Sequence, residues 1–209
     1  GNVDVAVDSL LAKTGDGSGL TGIASAPGKN LLINGDFQVW QRGTSVTGGA
    51  LVYTADRWQT SSVNTNYAVK QVGSRTARIQ RTDGNTTDFA VALCNQLETN
   101  DSLSLVGKTV TFSGKLTKSS TFSAGGVTVR IVSGTGTNQG GLNWAGWSGQ
   151  VTVATVVIQP TDLDGSMFEI TGVIPSTATQ VAVSLNLSNF TGTASSDYLD
   201  MNEMKLEVG

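Results

Sequence analysis

The feature that most constrains this chain is a two-residue period. Val181, Val183, Leu185 and Leu187 share one face of 180–187, Val127, Val129 and Ile131 share one face of 126–132, and Val110, Phe112 and Leu116 share one face of 108–116. The opposite faces carry mostly Thr, Ser, Lys and Arg. Such alternation buries one side of a pleated strand and wets the other, and no segment shows a convincing helical period. Further strands are expected at 30–34, 51–59, 67–72, 76–81, 88–93, 151–158, 167–174 and 197–207. Gly, Ser, Thr, Asn and Asp clusters at 43–49, 60–66, 82–87, 117–125, 133–149 and 188–196 supply the turns. About ten or eleven short strands predict an all-β fold, a two-sheet antiparallel β-sandwich of jelly-roll type around one core.

Residues 1–29 read differently and form an extended N-terminal arm. Val3, Val5 and Val7 alternate with Asn2, Asp4, Ala6 and Asp8, and Leu10 and Leu11 follow. This segment has apolar residues to bury and no partner within itself, so it is expected to pack on another chain. Gly15 to Ile23, with Pro27-Gly28 after it, is too rich in glycine for a helix or a central strand and reads as a linker. The division expected is an arm and linker at 1–29 and a β-sandwich at 30–209. The opening has no basic region ahead of an apolar core and does not read as a secretory signal.

Several chemistries are excluded by absence. The chain of 209 residues has no His, so Ser/His/Asp and Cys/His catalysis and His-containing zinc sites are ruled out. Cys94, alone, permits no internal disulfide and no Cys cluster. The formal charge is -3, with 13 Lys and Arg scattered among 16 Asp and Glu, which is no footprint for nucleic acid. No apolar run approaches the roughly 20 residues that cross a bilayer, so membrane insertion is not expected. Ser and Thr make up nearly a quarter of the chain, a composition of β-rich extracellular or virion proteins.

Three motif matches dissolve on their context. Gly17 to Gly22 fits GxGxxG but lacks the strand before and the helix after that a pyrophosphate site needs. Gly107-Lys108-Thr109 opens a strand rather than a helix and reads as a turn. Asp162-Leu163-Asp164-Gly165 fails EF-hand spacing and reads as a tight turn. Glycosidase chemistry needs two facing carboxylates, and none of Glu98, Glu169, Glu203 and Glu207 lies in a segment that looks like a groove. The chain is expected not to be an enzyme.

The loop Asn138 to Gly149 is more informative. Trp144 and Trp147 stand there among Gly, Asn and Gln, either as aromatic platforms for sugar rings or as caps on the end of the sandwich or a subunit interface. On the first reading Asn143, Trp144 and Trp147 contact carbohydrate. At the C-terminal strand, Tyr198, Asp200, Asn202, Met204, Leu206 and Val208 alternate onto one face, which carries Asp200 inward with Met204 and Leu206. A buried carboxylate must be paired or bind a cation. Structural calcium is one answer and a bulged or backbone-bonded strand end the other.

Asn30 to Ser45, followed by Tyr53-Thr54-Ala55-Asp56-Arg57-Trp58, closely resembles the opening of a module found in bacteriophage tail fibres and related virion fibre proteins. Asn95 to Glu98, Leu105 to Ser113 and Tyr198 to Gly209 follow the same family in order. The resemblance implies a virion fibre component, a tail fibre or receptor-binding protein, forming a homotrimer. It further implies other virion proteins and a host cell-surface polysaccharide as partners. A purely structural fibre, collar or capsid-decoration role and the binding domain of a longer depolymerase are its alternatives. The same segments are similar, more distantly, to carbohydrate-binding jelly rolls that begin Asn-Gly-Asp-Phe-Glu and hold a structural calcium between first and last strands. That likeness implies Asp36 and Asp200 as calcium ligands, with Gln38 replacing the charged residue, and no other cofactor. Asp56-Arg57-Trp58 reads as a structural ion pair and core anchor.

Overall fold

The computed structural model describes residues 28–62, 64–140 and 147–209. The arm expected at 1–29 therefore lies outside the described residues except for Gly28 and Lys29. In chain order the elements are β1 (Ser45–Thr47), β2 (Val52–Tyr53), β3 (Trp58–Ser61), β4 (Tyr67–Val72), β5 (Thr76–Arg81), β6 (Phe89–Gln96) and α1 (Thr99–Leu103). They continue as β7 (Thr109–Lys118), β8 (Val127–Gly134), β9 (Val151–Ile158), β10 (Asp164–Val173), β11 (Gln180–Phe190) and β12 (Tyr198–Val208). One sheet has the order β1-β4-β5-β12-β7-β10 and the other β2-β3-β6-β11-β8-β9. All pairs are antiparallel, and the two sheets form the jelly-roll sandwich.

The alternating faces pack as their periodicity predicts. Val127, Val129 and Ile131 of β8 and Val181, Val183, Leu185 and Leu187 of β11 are buried in the core. They meet Val110, Phe112 and Leu116 of β7 in the same cluster. On β7 the inward position between Phe112 and Leu116 is Gly114, where a Cβ would collide with the Met204 sulfur. That gap admits Met204 and Phe168 between the sheets.

Several expectations change: β1 lies inside the turn cluster expected at 43–49, and α1 is a short helix where none was expected. Residues 30–34 form turns rather than a strand. The segment 51–59 is broken at Thr54–Arg57, where Arg57 takes a left-handed φ of 71° and the Trp58 amide bonds to the Ala55 carbonyl at 2.9 Å. Strand β12 carries a bulge, with its register on β7 shifting between Asn202 and Lys205 and Glu203 at φ 53°. The extra residue reverses the alternation, so Leu199 and Met201 are buried before it and Met204 and Leu206 after it. Asp200 and Asn202 therefore point away from the core, and the bulged-strand alternative describes this strand.

The segment 30–37 is what holds that bulge. The Asn30 amide donates to the Met204 carbonyl at 2.9 Å, while its oxygen accepts the amides of Leu32 and Leu206 at 3.0 and 3.1 Å. The Met204 amide donates to the Gly35 carbonyl at 3.0 Å. Asn34, left-handed at φ 58°, donates to the carbonyls of Val39 and Asp56 and accepts the Val39 amide. Its own carbonyl accepts the indole of buried Trp58 at 2.9 Å, and the Trp58 ring lies 4.8 Å from that of Phe37.

Gly35 abuts the strand so closely that a Cβ would overlap the Met204 carbonyl oxygen and the Asn30 amide. Gly35→Ala should therefore destabilise the domain by about 1 to 3 kcal/mol, the usual range for overpacking. Urea unfolding should show a lower midpoint with an unchanged slope.

Candidate functional site

Alternation leaves one face of each sheet outside the core, and on the β2-β3-β6-β11-β8-β9 sheet that face is polar with small residues at its centre. Register places Tyr53 beside Gln59, Gln59 beside Cys94, Cys94 beside Ser184, Ser184 beside Arg130 and Arg130 beside Thr155. The adjoining row runs Gln96, Ala182, Val132. Cys94, Ala182, Ser184 and Val132 are buried yet, apart from the core, sit at the bottom of this face beneath longer neighbours. Burial pushes the Cys94 thiol well above its ordinary pKa, which makes it a poor nucleophile.

At one end of this face lies a pocket of about 180 Å³. Tyr53, Arg57, Gln96, Glu98, Asn138 and Gln180 are among the residues lining it. Tyr53 is 40% exposed, with the Arg42 guanidinium 4.6 Å from its ring centroid. Arg57 pairs with Glu98 at 2.7 Å and reaches the Gln96 carbonyl at 3.4 Å. The partner expected for Arg57 among its sequence neighbours is thus replaced by Glu98, and Asp56 instead accepts the Gln41 amide at 3.1 Å. Trp58 is the core anchor.

The far wall comes from the loop that the sequence marked out. Asn138 and Thr99 exchange hydrogen bonds of 3.0 and 2.9 Å, tying the loop to α1. Ser102 of that helix accepts the Val181 amide at 3.0 Å. The Gln139 side chain accepts the Ser148 amide at 2.9 Å, closing the base of the loop. Asn143 and Trp144 lie outside the described residues. Trp147 is 5% exposed, and a Cβ on Gly134 would strike its ring. Gly134 shares the outward face with Val132 and Gln180, so Trp147 is a buried cover on the sheet and its ring is not an open platform. Sequence reasoning found this loop but missed Tyr53, Gln96 and Gln180, because only the strand register brings those three together.

The calcium expectation does not fit this geometry. Both carboxylate oxygens of Asp200 are held by the Arg78 guanidinium, at 2.6 and 2.8 Å, and Arg78 lies 3.5 Å from the Tyr198 ring centroid. The Asp200 carboxylate in turn raises the pKa of Arg78. Asp36 accepts the Gln38 amide at 2.6 Å. Among the described residues no group of three or more His, Cys, Asp or Glu is placed to hold a metal.

No family model matches this chain, and no curated protein matches it. Solved structures similar to it share the architecture at low identity. A family 61 carbohydrate-binding module in complex with β-1,4-galactotriose is 14% identical with a TM-score of 0.47, over 87% of this chain and 99% of that one. Tailspike protein 4 of bacteriophage CBA120 is 8% identical with a TM-score of 0.47, over 86% of this chain and 21% of that one. A Stig cyclase from Fischerella is 12% identical with a TM-score of 0.49, over 85% and 96%.

Two outcomes follow from these positions. Trp147→Ala should lower stability by about 3 to 5 kcal/mol, as expected of a buried Trp, in a thermal or urea melt. Excess chelator should leave the melting temperature unchanged, whereas Asp200→Asn should destabilise by about 1 to 3 kcal/mol through loss of its charged hydrogen bonds.

Proposed function

We propose that this chain is a non-enzymatic, glycan-binding jelly roll of a bacteriophage virion fibre, displayed for attachment to the host surface. The observation that carries the reading is the pocket between Tyr53, Arg57, Gln96, Asn138 and Gln180. It joins a half-exposed aromatic ring to several amides, and sugars present both apolar C–H faces and hydroxyls. The virion assignment draws on the resemblance of 30–45 and 53–58 to phage fibre modules. Those residues supply the hydrogen-bonded frame beneath the pocket. The arm at 1–29 is the proposed trimerising element, and host cell-surface polysaccharide the proposed partner.

A single pocket of this size gives weak binding, on the order of millimolar for a few kcal/mol. Three copies on one fibre gain about 10² to 10⁴ in avidity without any new contact. Firm adsorption is therefore a property of the trimer.

A structural joining role is the second reading, and one observation favours it. Val151, Val156 and Val157 of β9 and Met167 and Val173 of β10 are exposed, on strands at the edges of their sheets. Exposed apolar strand edges invite pairing with another chain.

Light scattering on the full chain should give three times the monomer mass. Tyr53→Ala should reduce adsorption of the trimer to host cells at least tenfold while leaving its melt within a degree or two. A monomer with the arm intact defeats the fibre reading. Adsorption untouched by Tyr53→Ala favours the joining role.

A further inference from the structure

The two sheets end in the edge strands β1, β10, β2 and β9. Unpaired edges template association, and folded proteins blunt them by shortness, charge or irregularity. Strands β1 and β2 are three and two residues long. Strand β10 carries Asp164 and Glu169, and its register shifts between Asp164 and Met167. Strand β9, Val-Thr-Val-Ala-Thr-Val-Val-Ile, runs for eight residues with no charge and no proline. Its irregularity falls at Val153, which leaves Ala154 to Ile158 in unbroken register on β8.

The side of β9 that faces the other sheet is also poorly covered. Register sets Ala154, Val156 and Ile158 beside the core residues Ile131, Val129 and Val127, yet Val156 is 38% exposed. Between this row and β10 runs a groove of about 280 Å³, lined by Val156, Ile158, Leu116, Met167 and Phe168 among others. Asp162 and Glu169 also line it, so an acidic side chain is unwelcome on the inward side. On the outward side Arg130 stands beside Thr155, and it forms no ion pair among the described residues. A strand that fits this edge is apolar inward and acidic outward.

The sequence holds a segment with that pattern. Val3, Val5 and Val7 alternate with Asn2, Asp4, Ala6 and Asp8, so β-branched residues share one face and carboxylates appear only on the other. We propose that Val3 to Val7 of a neighbouring copy adds to the free edge of β9 as a further strand, with the three valines in the groove over Val156 and Ile158 and Asp4 outward toward Arg130. The inference rests on the trimeric reading of the arm above and names what the arm grips. Main-chain hydrogen bonds along the edge supply the attraction, and the valine row sets which face turns inward. A neighbour's arm fits better than the chain's own, because the chain enters across the sheet. Asn30 and Leu31 bond Leu206 on the side of β12 away from β7, and β7 separates that point from β10.

The test uses the full chain. In an oxidised mixture of Val5→Cys and Val156→Cys copies, a disulfide should join one of each, Cys94 being buried and out of reach. In hydrogen exchange, the free-edge amides of Ala154 to Ile158 should be protected. Val3→Asp, Val5→Asp and Val7→Asp together should speed their exchange about tenfold or more, while the amides of β8 and β11 keep their protection. Should that variant fail to fold, Val156→Lys disrupts the same contact from the other side and should expose the same amides. A disulfide that forms only when both cysteines are on one chain overturns donation between copies. Edge amides that exchange as fast in the unaltered chain as in the variants overturn the inference; if light scattering still gives a trimer, the fibre reading stands and β9 is left to a different protein. A monomer defeats both.

Discussion

The three-way contact of Asn30, Gly35 and Met204 is the constraint on which the rest of this structure depends. A bulge in an eleven-residue central strand leaves backbone groups unpaired and bends the strand. Asn30 answers both sides of the irregularity with one side chain, donating to Met204 and accepting from Leu206. Only glycine at 35 lets the turn approach near enough for its carbonyl to take the Met204 amide. Because the bulge switches which residues of β12 face inward, this contact decides the composition of the core on one side of the sandwich.

The same turn reaches the candidate site through Asn34 and Asn95. Asn34 bonds the Asp56 carbonyl and receives the Trp58 indole, which fixes the break at Thr54–Arg57. Tyr53 stands just before that break and Arg57 at its end, and both line the pocket. Asn95, buried next to Gln96, donates to the Ile33 carbonyl at 3.0 Å and anchors the end of β6. A site built on strand ends tied to a hydrogen-bonded turn holds its geometry better than one on a free loop.

Both ends of β11 bury polar side chains. At Phe190 the Arg81 guanidinium is sealed, bonding the carbonyls of Asn85, Thr87 and Phe190, with the Asp197 carboxylate 3.8 Å away and the Phe89 ring beside it. At Gln180 the amide nitrogen donates to the Gln139 carbonyl at 3.3 Å, and among the described residues its oxygen has no donor. Each end thus buries a polar group whose pairing is incomplete, the Arg81 Nε at one and the Gln180 oxygen at the other.

Much of this was legible in the residues themselves. Alternation at 108–116, 126–132 and 180–187 determines strands with one buried face, since a period of two can satisfy no other regular structure, and a sandwich follows from having many such strands. The Trp-containing loop also stood out, because indole rings amid Gly and Asn need something to cover. What the tertiary structure alone decided are features that depend on pairing partners distant in the chain. The bulge at Glu203 is answered by residues more than 160 positions earlier, and without it simple alternation sends Asp200 inward. Arg57 finds Glu98, and Asp200 finds Arg78, only because strands that are far apart in sequence lie side by side. Tyr53, Gln96 and Gln180 are ordinary positions on three separate strands, and register gathers them around one pocket. Local periodicity reports which way a side chain faces; it carries no information about which strand lies next to it.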